Sequence, residues 1–235
     1  MTEAPAGARA DRTVLITGAS GALGTAVTQR FVKDGYKVAT ASLGRPRTST
    51  EAGLDESVFA VEADVTDSAS VEHLVQTTVA RLGTIDALVH LVGGWVGGMR
   101  LEDHPVEKWD QALGINLRSA FLCARAVIPV MRAQATGRIV FVSSRSARLE
   151  HSLEGAYAIA KSGVGVLAEV IAEENRDVDV TANAVAPSAL DTPTNRAARS
   201  GPLVPIPDVA RTIAFLASPE AGQLRGAWLP VFGRA

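Results

Sequence analysis

Thr13-Val14-Leu15-Ile16-Thr17-Gly18-Ala19-Ser20-Gly21-Ala22-Leu23-Gly24 decides the fold: an apolar run meets a glycine-rich turn, and a helical pattern then continues through Phe31. Strand, tight turn and helix follow one another directly. Glycines at such a junction let the backbone approach a pyrophosphate, and the next helix offers it N–H groups and a partial positive charge. A dinucleotide fits that chemistry. Onward from this unit, apolar runs and helical patterns alternate to the end of the chain, the mark of a parallel sheet covered by helices on both faces. Strand cores read as Thr13 to Thr17, Lys37 to Ser42, Val58 to Glu62, Ala87 to Leu91, Arg138 to Ser143, Val180 to Val185 and Trp228 to Val231. The clearest helix runs from Ser68 to Leu82, where Val71, Leu74, Val75, Thr78, Val79 and Leu82 recur at steps of three and four, with Asp67 or Ser68 as its cap.

With 235 residues, 47% of them hydrophobic, the chain can bury a sizeable core, and one α/β domain over residues 12–235 is expected after a loose tail at 1–11. A net charge of −2 supplies no broad basic field, which argues against a nucleic-acid partner. Apolar stretches read as shorter than the ~20 residues of a spanning helix, and the tail lacks the apolar centre of a secretory signal, so no membrane partner and a cytoplasmic location are expected. Cys123, the single cysteine, sits in an apolar helix pattern and reads as a packed side chain. The four histidines show no metal-ligand spacing, and no metal site is expected.

Tyr157 and Lys161 lie four residues apart in Gly155-Ala156-Tyr157-Ala158-Ile159-Ala160-Lys161, at the start of a helix, so both project from one face. A tyrosine with a pKa near ~10 is a poor acid or base at neutral pH, and a neighbouring ammonium favours its phenolate. The pairing suits proton transfer.

The turn, written T-G-x-x-x-A-x-G, and the Y-x-x-x-K pair together resemble the short-chain dehydrogenase/reductase family, from about Arg12 to Gly233. That resemblance implies a single-domain, Rossmann-like, doubly wound parallel sheet of seven strands and an NAD(P)(H)-dependent oxidoreductase. Hydride would pass between nicotinamide and a carbonyl, alcohol or imine-like small molecule. It further implies Ser144, Tyr157 and Lys161 as catalytic residues, with Asn116 holding a water behind the lysine. Cofactor contacts implied in the same way are Gly18, Ser20, Gly21 and Leu23 in the turn, Asp64 and Val65 at the adenine, Gly93, Tyr157 and Lys161, and Pro187, Leu190 and Thr192 at the nicotinamide and phosphates. The chain departs from the family pattern at Ala22, at Ser188, and at His90-Leu91-Val92-Gly93, where relatives carry N-N-A-G. Within the family, Val92 to Gly98 and Leu190 to Arg196 look similar to dihydropteridine-reductase-like members.

Ser42 ends the second strand where an acidic residue would select NAD, and Arg45 and Arg47 follow in the loop, able to bind a phosphate. NADP(H) is therefore favoured over NAD(H); solvated loop charge is the plainer reading of the two arginines. Trp95, Arg145, His151 and Leu153 are the candidate substrate contacts, with Arg148, Val96 and Met99 nearby. Each has an ordinary alternative, as loop charge or buried packing. Four prolines between Thr192 and Pro207 imply a compact, stiff flap. The family's pairing through its fourth and fifth helices, with the apolar stretch Asn116 to Met131, implies a homodimer or homotetramer. Two other functions are open: a non-redox isomerase, dehydratase or cyclase, which would use the same four residues, and a nicotinamide-sensing regulator, which has no need of a proton relay.

Overall fold

The computed structural model describes residues 12–44, 58–149, 152–198 and 200–234. Its strands are β1 (Thr13–Thr17), β2 (Lys37–Ser42), β3 (Val58–Glu62), β4 (Ala87–His90), β5 (Thr136–Val142), β6 (Asp179–Pro187) and β7 (Trp228–Val231). They form one parallel sheet in the order 3-2-1-4-5-6-7. The helices are α1 (Ala22–Lys33), α2 (Ser68–Leu82), α3 (Val106–Leu113), α4 (Ser119–Ala133), α5 (Gly155–Glu174), α6 (Pro193–Ala198) and α7 (Ile206–Leu216).

Successive strand residues face opposite sides, so one strand feeds two cores. Leu15 packs with Leu74, Met131, Phe141, Val164 and Ile171 under α2, α4 and α5. Its neighbours Val14 and Ile16 pack with Phe31, Ile213 and Leu216 under α1 and α7. All of β1 is buried, which is why its sequence is a continuous apolar run and not an alternating one. Helix α2 starts where the Asp67 carboxylate accepts from the Ser70 N–H at 2.7 Å and stops at Gly83, whose φ of 86° ends it in the left-handed region.

Three sequence expectations change. Strand β5 begins at Thr136 and β6 runs on to Pro187. Thr136-Gly137 and Pro187 lie outside the expected strand cores, yet each is held in register by the neighbouring strand, Thr136 opposite Asp179 and Pro187 opposite Val231. Asn116 does not sit in a regular helix: Gly114–Arg118 forms a π turn between α3 and α4, closed by the Ser119 N–H on the Gly114 carbonyl. The apolar stretches are also longer than expected. Val106–Ala133 and Gly155–Glu174 each reach a mean hydropathy of 1.3 at a length that could span a membrane. Packing explains that composition for α5: Ala156, Ala160, Val164 and Ala168 are buried, while Ile159, Val166 and Val170 lie exposed on its other side.

Strand order reverses between β1 and β4, and Thr17 stands directly opposite His90 at that point. Loops leaving the carboxyl ends on either side of such a switch diverge and leave a crevice between them.

Candidate active site

A cleft of about 760 Å³ occupies that crevice. Gly18, Gly21, Ala22, Leu23 and Gly24 form one end of it. Gly18 has a φ of 75°, and a side-chain carbon there would meet the Val92 nitrogen at 3.1 Å. One on Gly24 would fall 2.3 Å from the Gly18 carbonyl oxygen, so α1 can follow the turn this closely only with glycine at that position. Gly21 caps α1 without any side-chain hydrogen bond, which leaves the first-turn N–H groups without a capping side chain, and Ala22, Leu23 and Gly24 of that turn line the cleft. A closely approached, uncapped helix N-terminus fits a dinucleotide pyrophosphate.

Ser143, Ser144, Tyr157 and Lys161 wall the same cleft. Lys161 is buried in α5, and its Nζ donates to the Val142 carbonyl at 2.8 Å. Burial pushes its pKa down to about 8. Of the adjacent serines, Ser143 turns into the structure: its hydroxyl donates to the Lys161 carbonyl at 2.8 Å and accepts from Trp228 Nε1 at 3.4 Å. Ser144 closes a small turn, accepting from the Ser146 N–H at 3.2 Å.

Asn116 lies behind this wall. Its Oδ1 accepts from the Gly94 N–H at 3.1 Å while its Nδ2 donates to the carbonyls of Gly94, at 2.9 Å, and Ala112, at 3.0 Å. A side-chain carbon on Gly93 would stand 2.7 Å from both Asn116 Oδ1 and Lys161 Nζ. Those two atoms therefore lie within the span of one bridging water, about 5.6 Å. Glycine at 93 keeps that space open.

Pro187 at the end of β6 and Leu190 and Thr192 after it line the cleft, together with Thr194, Asn195 and Ala198 of the flap. The flap is pinned at its base, with Asp191 N–H on the Val204 carbonyl and Val204 N–H on the Ala189 carbonyl, each at 2.8 Å. Asn195, which the sequence reading passed over, ties the flap to itself by donating to the Leu190 carbonyl at 2.8 Å.

Other expected contacts stand apart. Ser20 is exposed beside the turn, and Ser42, half-buried, ends β2. Asp64 closes an Asx turn, accepting from the N–H and hydroxyl of Thr66 at 2.8 and 2.7 Å; these bonds hold its pKa below the usual carboxylate value. The Val65 side chain belongs to the core, so only its backbone can face a ligand. Arg45, Arg47 and His151 lie outside the described residues.

Of the expected substrate contacts, Trp95 and Arg145 line the cleft, and Leu153 is exposed, outside the cleft lining, with a φ of 61°. Trp95, 57% exposed, donates from Nε1 to Glu154 Oε1 at 3.3 Å. Glu154 is a wall residue that sequence reasoning missed, since a lone glutamate before a helix carries no signal. Arg148 turns away, stacking on Trp228 at 4.5 Å from the ring centroid and reaching Glu169 at 3.7 Å. Cys123 is buried, and burial pushes its thiol up to about 12, so it carries no thiolate chemistry. No cluster of metal ligands occurs among the described residues.

The family model described as short chain dehydrogenase matches residues 12–202. The chain belongs to the short-chain dehydrogenase family. As a member it is an NAD(P)-dependent oxidoreductase. It is 34% identical over 236 residues to the 3-oxoacyl-acyl-carrier-protein reductase MabA of Mycobacterium tuberculosis, covering 94% of this chain and 92% of that protein. To the 7alpha-hydroxysteroid dehydrogenase of Bacteroides fragilis it is 32% identical over 244 residues, covering 95% and 93%. Among solved structures, an actinorhodin polyketide ketoreductase with NADPH superimposes at a TM-score of 0.87 with 26% identity, over 95% of this chain and 96% of that one. Levodione reductase gives 0.82 and 28%, over 94% and 95%.

Proposed function

We propose that this short-chain dehydrogenase interconverts a carbonyl and an alcohol in a small molecule with NADP(H), using Tyr157 as the proton donor and acceptor. One observation carries the reading: Ser144, Tyr157 and Lys161 line the same cleft as the glycine turn. The bound cofactor supplies or accepts the hydride. Ser144 and Tyr157 hydrogen-bond the substrate oxygen, and Tyr157 gives it a proton in reduction or takes one in oxidation. Lys161, cationic below about pH 8, favours the Tyr157 phenolate and hydrogen-bonds the nicotinamide ribose. Asn116, within one water's span of Lys161, links the lysine to solvent through that water.

Several observations favour this over the non-redox and sensor readings. A sensor needs no buried lysine whose pKa is tuned toward neutrality, and an enzyme that moves protons does. The relatives named as reductases and dehydrogenases act on 3-oxoacyl and hydroxysteroid groups, both carbonyl–alcohol pairs. NADP(H) is preferred because neutral Ser42 ends β2, with Arg45 and Arg47 close behind it in sequence. Pairing of two or four copies is proposed through α4 and α5, where Phe121, Ile159, Val166 and Val170 are 47, 48, 55 and 44% exposed.

Tyr157→Phe is expected to bind NADPH as the parent does and to lose at least about 100-fold in kcat; unchanged turnover removes Tyr157 from the mechanism. The Arg45→Ala, Arg47→Ala double variant should raise the Kd for NADPH roughly ten-fold or more and leave that for NADH nearly unchanged, from loss of two charge-assisted contacts. Equal effects on both cofactors would reverse the assignment. Light scattering should return the mass of a dimer or tetramer, and a single-chain mass would refute the pairing.

A further inference from the structure

His90 stands in one of the segments where this chain departs from the family pattern, and the structure gives its ring two partners on separate elements. At the end of β1, the Thr17 hydroxyl lies 2.8 Å from His90 Nδ1; at the start of α4, the Ser119 hydroxyl lies 3.1 Å from Nε2. The proton positions follow from the last link. Ser119 donates its own proton to the Ile115 carbonyl at 2.6 Å, so toward His90 it can only accept. Nε2 therefore carries the imidazole proton, and Nδ1 accepts from Thr17. The bonds all run one way, Thr17 to His90 to Ser119 to Ile115.

The far end of that chain is the π turn. Closing the turn on the Gly114 carbonyl takes the Ser119 N–H away from Ile115, whose carbonyl would be its partner in a regular helix. The Ser119 hydroxyl supplies the missing bond. One residue beyond Ile115 is Asn116, whose amide grips Gly94. One residue beyond Thr17 is Gly18 of the cofactor turn.

We propose that His90 is a positioning residue: a neutral imidazole brace that locks the π turn carrying Asn116 to the end of β1, and so fixes the proton-relay end of the cleft relative to its cofactor end. A neutral ring suits that place. His90 is buried, and burial, followed by the nearby Lys161 charge, pushes its pKa down to about 3. The ring thus spans two polar partners without adding a second cation beside Lys161. Asparagine, shorter by about one bond, reaches the Nδ1 position but not the Nε2 position, and glutamine does the reverse.

That difference gives the test, which rests on the proposed reaction only for its kinetic arm. Amide exchange is measured in the free protein, where the Gly94 N–H reports its bond to Asn116. His90→Asn and Ser119→Ala both remove the brace from the π turn. Ser119→Ala also deletes the hydroxyl bond to the Ile115 carbonyl. His90→Asn should speed exchange at Gly94 and across residues 114–119 about ten-fold, as expected for loss of one buried hydrogen bond, and Ser119→Ala by at least as much, with β6 amides little changed. The double variant should add nothing beyond Ser119→Ala. His90→Gln, which keeps the Ser119 bond, should stay within about three-fold of the parent. In turnover, His90→Asn and Ser119→Ala should lower kcat with the Kd for NADPH unchanged, and His90→Gln should restore it. Exchange that rises equally everywhere, or a His90→Gln variant as impaired as His90→Asn, would overturn the brace. A parent protein without turnover but with the local exchange pattern intact would count against the proposed reaction and support the brace.

Discussion

The structure depends on burying the ammonium of Lys161 against the end of the sheet. Water is a far better solvent for a cation than this interior, so the charge can be kept only if backbone carbonyl groups and nearby polar atoms replace what water supplied. The Val142 carbonyl at 2.8 Å does part of that. It is available because β5 ends there and Ser143, bonded to the Lys161 carbonyl, draws the strand end against α5. The adjacent Ser143 contact thus fixes the helix register beside the carbonyl that solvates the lysine, and with it Tyr157 one turn earlier on the same face.

Around this centre, glycines set how closely elements approach. Gly93 leaves room between Lys161 and Asn116, and Gly163 lets the π turn close on α5, where any side chain would meet Leu117 at 2.8 Å. The π turn itself is an irregularity that a helix does not adopt without compensation, and the Ser119 hydroxyl provides it. Packing, hydrogen-bond satisfaction and the spacing of ionisable groups are therefore met by one small set of residues at the strand-order reversal.

Much of this was legible in the sequence because it is local. Alternating apolar runs gave the strands, the Asp67 cap marked the start of α2, and the four-residue step put Tyr157 and Lys161 on one helix face. What was not legible depends on contacts distant in sequence. Nothing near Asn116 announces a π turn, since the turn is stabilised by a hydroxyl bond to Ile115 and by Gly94, more than twenty residues away. His90 read as a lost family asparagine; its role is visible only when Thr17 and Ser119 are brought to either side of it. Glu154 joined the wall for a similar reason, through the indole of Trp95. The apolar length of α5 was underestimated because a helix with a buried side and an exposed apolar side carries hydrophobic residues around most of its circumference.

The most direct measurement is the pKa of Lys161 in the ligand-free protein, followed by NMR of its side-chain ¹³Cε as pH rises. The account predicts a midpoint near 8, well below the 10.5 of an exposed lysine, because burial disfavours the charged form. A Lys161 midpoint at or above 10.5 would mean that the ammonium is solvated, and would contradict the buried, proton-relaying lysine on which the proposed site is built.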